Sequence, residues 1–204
     1  MRIISRSVLS RFMLVTNLVC NLFYSVSYPY IYAEMMKVVS STYVSVEQIV
    51  TCVGVITLGL LWNKFGDFLY KHFQFLIILE IVADIILFSN VLITGNLKAY
   101  FIMNISIYAF ISRHIVNGGI RLRAKVHPDE HSRERYDNNC NIVNSVATLL
   151  GAGLAIILHL NVTMLFIAAL IGNTFDNFCY WYIYKKVNQI EKDEQLRNQT
   201  DNML

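Results

Sequence analysis

Six runs of about 20 mostly apolar residues dominate the chain, covering residues 9–33, 46–62, 74–93, 98–117, 137–160 and 162–184. A helix rising 1.5 Å per residue needs about 20 residues to cross a hydrocarbon core of about 30 Å, so each run is long enough to span a bilayer. Composition agrees: 55% of the 204 residues are hydrophobic, only 15% are charged, and the mean hydropathy is +0.47. A soluble domain carries roughly 25% charged residues, so a soluble enzyme is excluded. Two prolines, nine glycines and no polar low-complexity tract exclude disordered and collagenous chains. The expected fold is therefore an all-α membrane domain over residues 1–186, followed by a polar tail over 187–204. The first run is too long for a removable signal peptide and has no small-residue cleavage site, so it reads as a retained helix. Residues 160–162 leave almost no room between the last two runs, which predicts an antiparallel hairpin. The starting Met and the polar 191–204 segment favour a complete chain.

Basic residues set the expected orientation. Fifteen Lys and Arg lie in the N-terminal segment, in the loops after the second and fourth runs, and in the tail, whereas the alternate loops hold only Lys37 and Lys98. That asymmetry, hidden in a net charge of +3, predicts both termini on the cytoplasmic side of a cell membrane. Tyr28, Tyr30 and Tyr32 then mark an outer interface, and Tyr180, Trp181, Tyr182 and Tyr184 an inner one. The four cysteines show no CxxC or metal-type spacing, so they read as buried or lipid-facing thiols.

Between the second and third runs stand Gly59, Asn63, Lys64, Gly66 and Asp67. Gly59 would permit close helix approach, Gly66 a tight turn, and the basic residues would hold that turn at the headgroups. The same spacing resembles the signature loop of the major facilitator superfamily: a glycine, three residues, an acid, a basic residue, any residue, a glycine and further basic residues. Asn63 stands where that family usually has Asp, and Asp67 where it usually has a basic residue. The segment from Arg121 to Asn139, centred on Pro128, Asp129, Glu130 and Arg133, resembles the family's Pro-acidic-Arg connector between its fourth and fifth helices. Pro128-Asp129-Glu130 suits the start of a short amphipathic turn, and the basic residues around it favour an anionic inner leaflet. The resemblance implies one six-helix half of a twelve-helix carrier, in which the first and fourth helices line the cavity and the third and sixth lie at the periphery. Because the two halves of such a carrier share one orientation, a homodimer or a heterodimer with another six-helix half would rebuild the full transporter.

Polar residues in hydrocarbon must turn toward protein or water, so they mark candidate sites. Asn17, Asn21, Tyr24 and Tyr28 share one face of the first helix, and Asn104, Tyr108 and Ser112 one face of the fourth. These are the candidate substrate contacts, with interhelical hydrogen bonding as the plainer reading. Ala147, Gly151 and Ala155, four residues apart, form a small-residue packing stripe on the fifth helix. Glu80 and Asp84 lie one turn apart on the third helix, Asp84 roughly 15 Å from its inner end and so near the midplane, and Asp176 lies in the sixth. Two carboxyls this close in low dielectric are expected to keep at least one proton, which is what proton coupling requires. Arg113 is a candidate partner for either, and His159 reads as an interfacial residue.

No nucleotide loop, metal-ligand cluster, nucleophile elbow or catalytic dyad is present, so neither an enzyme nor a cofactor is expected. Nor is a nucleic-acid partner. The expectation is a transporter subunit that moves a small molecule by alternating access, with proton coupling as an added feature. The alternatives are a non-transporting accessory or relic subunit and a substrate-capture subunit of an energised transporter.

Overall fold

The computed structural model describes residues 5–104, 109–158 and 160–201, and within them the chain is helical almost throughout, with no strand. Among the described residues seven helices follow in order: α1 (Arg6–Val38), α2 (Ser41–Lys71), α3 (Phe73–Thr94), α4 (Leu97–Met103), α5 (Ala109–Val126), α6 (Glu130–Leu158) and α7 (Val162–Asp201). Five of them, α1, α2, α3, α6 and α7, are long and apolar enough to cross a membrane. This is an all-α membrane protein. The expected fourth run falls on α4 and the first half of α5; Tyr108 and His159 lie outside the described residues.

Local chemistry explains the helix ends. Gly95 closes α3 in the left-handed region, at φ 64°, where its N–H bonds back to the Val91 carbonyl at 2.8 Å. Asn96 then caps α4 by accepting the Ala99 N–H at 3.0 Å. Pro128 follows α5, Asp129 accepts the Ser132 N–H at 2.7 Å, and Glu130 occupies the first turn of α6. The fifth run is therefore preceded by two further helical turns, starting at Glu130 rather than near Asp137. Asn161 caps α7 by accepting the Met164 N–H at 2.9 Å.

Three expectations are corrected. The turn between the second and third runs is not at Gly66: α2 continues helically to Lys71 through a kink at Phe65, and only His72 separates it from α3. The tail does not leave the bundle at 187, because Val187 and Ile190 are buried and Lys125 and Arg6 pair with Glu191 and Glu194 at 2.7 and 2.8 Å. Those contacts hold α7 to its neighbours as far as Glu194, and the helix itself continues, exposed over residues 195–199, to Asp201. Finally, α6 and α7 do not pair along their lengths as a hairpin. Each packs instead along α1, which makes the most extensive contacts in the bundle.

Small residues account for that central place. A Cβ at Gly151 would lie 2.6 Å from Ser25 Cβ and 3.0 Å from the Leu22 carbonyl oxygen, so α6 and α1 approach almost backbone to backbone. Ala147 and Ala155 are buried on the same stripe. Gly172 meets the Phe23 side chain on the α7 side. By contrast, a Cβ at Gly59 would meet nothing within 4 Å, so the close approach expected there is absent.

Along the bundle axis the interior has three layers. One apolar cluster holds Leu9, Met13, Trp62, Phe73, Ile77, Leu122 and Ile183 at the end rich in basic residues. A second holds Ile31, Met35, Leu87, Phe88, Tyr100 and Phe166 at the other end. Between them the same three helices, α1, α3 and α7, place their buried polar residues: Thr16 and Ser27, Glu80 and Asp84, Asn173 and Asn177. Outward faces carry Ile93, Leu149 and Ile157, all largely exposed, as helices bathed in lipid require.

Gly151→Leu is expected to lower thermal stability in detergent by about 1–3 kcal/mol through overpacking. Gly153→Leu serves as the comparison, since a side chain there meets nothing within 4 Å and leaves the melting temperature unchanged.

Candidate functional site

The polar layer is organised around Asp84, which has no exposed surface. Asn173 and Asn177, one turn apart on α7, donate their side-chain N–H groups to its two carboxyl oxygens at 3.0 and 3.2 Å. Tyr28 of α1 donates its hydroxyl to Asn173 Oδ1 at 3.1 Å, so α1, α7 and α3 are joined by one hydrogen-bonded chain. A buried carboxyl is tolerated in a low-dielectric interior only when its oxygens are met by donors, and two carboxamides supply them here without adding charge. Asp176, on the same α7 turn, accepts the Tyr24 hydroxyl at 3.1 Å. The Tyr24 and Tyr28 rings meet edge to face at 5.5 Å, which fixes both phenols over the layer.

Glu80 lies one turn from Asp84 and is only 5% exposed, yet among the described residues its Oε2 has no hydrogen-bond partner. It lines a cavity of about 370 Å³ together with Tyr24, Tyr28, Ser112, Asn173, Asp176 and Tyr180. A larger cavity of about 520 Å³ lies toward the basic end, bordered by Asn17, Asn141, Asn144, Arg123, Tyr136 and Asp137. Val116, Asp176 and Tyr180 line both, so the two cavities adjoin at Asp176.

The candidates from the sequence separate clearly. Asn17 borders the larger cavity while donating to Cys140 Sγ at 3.2 Å, and Tyr24 borders the smaller one. Asn21 turns onto α6, donating to Asn144 Oδ1 at 2.9 Å, and lines neither cavity. Asn104 follows α4 and lines neither; Ser112 of the same predicted stripe reaches the smaller cavity. Glu80, Asp84 and Asp176 come together in the polar layer, and α3 and α7 face inward here although the family resemblance implies a peripheral place for them. Among the described ion pairs none joins Arg113 to Glu80 or Asp84.

The loop residues sit elsewhere. Asn63 and Lys64 are exposed, and Asp67 reaches α5 through an ion pair with Arg121 at 2.6 Å. Arg121 also lies over the Trp62 ring at 5.8 Å, and Gly66 leaves room for its guanidinium. Asp67 is fully solvated, so this pair orients α2 on α5 and contributes little energy. Asn173, Asn177 and Tyr180 were missed in the sequence, although with Asp176 they recur on one face of α7 by the helical spacing that revealed the α1 stripe.

The larger cavity is bounded at the basic end by Arg123 and Asp137, paired at 2.9 Å, and by Tyr136. The Tyr136 ring lies 4.5 Å from that of His127 at a tilt of 32°, and His127 Nδ1 meets Ser132 Oγ at 2.9 Å. Burial pushes the His127 imidazole below its ordinary range, while Asp129 and Asp137 draw it partly back up. Among the described residues no group of His, Cys, Asp and Glu is placed to hold a metal ion. Comparison with known proteins adds no identity: no family model, no curated protein and no solved structure matches this chain significantly.

Two outcomes follow from this geometry. Asn173→Leu strips Asp84 of a donor and is expected to cost about 1–3 kcal/mol, whereas adding Asn173→Leu to an Asp84→Leu background costs markedly less. Equal losses in both backgrounds, measured by thermal unfolding, would show that the clamp carries no coupling. His127 is held neutral in the fold, so its contribution to stability is complete above the unfolded value of about 6.5 and is lost as pH falls below it. The melting temperature should therefore drop between about pH 7 and 5.5, and His127→Gln should flatten that drop.

Proposed function

We propose that the chain is a membrane transport subunit that moves a small solute by alternating access, with Glu80, Asp84 and Asp176 as its proton-coupling groups. The observation that carries this reading is the mid-height polar layer, whose two adjoining cavities extend to the basic end of the bundle. A carboxyl held at the centre of a membrane bundle is costly, and such residues mark ion and substrate pathways. In this reading α4 and α5 together form the fourth of six spans, both termini are cytoplasmic in a cell membrane, and the unit corresponds to one half of a carrier resembling the major facilitator superfamily. Packing of α1 against α6 and α7, of α2 against α5, and of α3 against α7 and α5 gathers these helices into one bundle around the polar layer. A second copy, or a separate six-helix unit, supplies the opposite wall of the path.

One observation favours a second reading, a non-transporting accessory subunit: Asn17, Asn21, Tyr24 and Tyr28 all find partners on α6 or α7 inside a single bundle. A flux assay separates the two. Protein reconstituted in vesicles loaded with a pH-sensitive dye is exposed to a panel of hexoses, amino acids and alkylamines. Transport predicts a pH change driven by at least one solute and abolished by Glu80→Gln or Asp84→Asn. No solute-dependent change across the panel would leave the accessory reading standing. Cross-linking in native membranes to a species of twice the mass would support pairing with a second copy.

A further inference from the structure

The chemical character of the smaller cavity goes beyond transport in general. Its lining contains two carboxyls, Glu80 and Asp176, and three tyrosines, Tyr24, Tyr28 and Tyr180, but among the described residues no Lys, Arg or His. The carboxamides there are already committed: Asn173 and Asn177 both donate to Asp84, and Asn173 Oδ1 accepts the Tyr28 hydroxyl. What remains unmet is an acceptor, Glu80 Oε2, in a side chain that is 95% buried by virtue of being 5% exposed. A cation bound beside it favours the ionised form of Glu80, which only accepts hydrogen bonds, so an occupant that brings both donors and positive charge completes this cavity. Acidic ligands are disfavoured by the two carboxyls and by Asp84 behind them.

We propose that the cavity between α1, α3, α5 and α7 binds a small protonated amine, its ammonium held by Glu80 and Asp176 and its apolar body by the tyrosine rings, Ile115 and Val116. An ammonium group carries three N–H donors and one positive charge, which meets both the unpartnered oxygen and the local excess of carboxyls. Tyrosine faces attract a desolvated cation as well. Ile115 is buried and Val116 borders both cavities, so an alkyl or aryl body fits beside the charged end. This assignment deepens the transport reading and rests on it for the route by which the amine reaches the site.

The test is calorimetric binding to the full chain in lipid nanodiscs, with 2-phenylethylamine, 2-phenylethanol and 3-phenylpropanoate as probes of one shape and three charges. The amine is expected to bind, and the alcohol and the acid to bind at least about tenfold more weakly. Glu80→Gln and Asp176→Asn should each weaken amine binding by at least about tenfold, while Leu149→Ala, on the outward face of α6 and lining neither cavity, leaves it unchanged. Should a carboxyl variant fail to fold, Val116→Phe narrows the cavity without touching a charge and is expected to abolish binding. Alcohol binding as tight as the amine's, binding that survives both carboxyl variants or Val116→Phe, or heat equal to that of protein-free nanodiscs would overturn the assignment. Amine binding with no solute-driven flux would keep this site and remove transport; flux of a sugar with no amine binding would do the reverse.

Discussion

The structure depends on the need to satisfy Asp84 where no water competes for it. A carboxyl at the middle of an apolar bundle is stable only if both oxygens meet donors, and these come from two asparagines one turn apart on α7. That contact holds α3 and α7 in one register. Tyr28 extends it to α1, and Tyr24 repeats the arrangement with Asp176. The apolar clusters at either end, centred on Phe73 and Ile77 and on Phe88 and Phe166, exclude water from the layer and so make each of these hydrogen bonds stronger.

Lipid offers no hydrophobic drive for helices to associate, so close packing and polar contacts must do so. Both converge on α1. Gly151 brings α6 up to its backbone, Gly172 seats α7 on its Phe23 side chain, and its polar face, Asn17 to Tyr28, meets hydrogen-bond partners on each. A single helix thus receives two neighbours on two sides, which is why the consecutive α6 and α7 are kept apart. The same geometry leaves the tyrosines of α1 facing the carboxyls of α3 and α7 across the smaller cavity. Packing and site chemistry have one origin there.

Much of this was legible residue by residue. The apolar runs located five long helices, the four-residue spacing of Ala147, Gly151 and Ala155 located the stripe that meets α1, and charge in an apolar run singled out Glu80, Asp84 and Asp176. The loop between the second and third runs was less legible, because Gly66 suits a turn and a tight helical contact equally well. Only the position of Arg121, on a helix more than fifty residues away in sequence, reveals the second role. The 187–201 segment read as a polar tail because Val187 and Ile190 are too few to register as an apolar run. Their burial, together with the ion pairs to Arg6 and Lys125, keeps its first two turns in the bundle.

By itself the sequence determined the solvent and the element type: runs of this length and apolarity make membrane-crossing helices, since hydrocarbon requires the backbone to satisfy itself within each segment. It also determined which residues are costly in that solvent. Tertiary structure alone decided how those costs are met. Which carboxamide faces Asp84, why Glu80 Oε2 stands without a partner, and where the two cavities adjoin all depend on the rotation of α7 against α1 and α3. That rotation is set by packing between distant segments, and the spacing of residues along one helix carries no record of it.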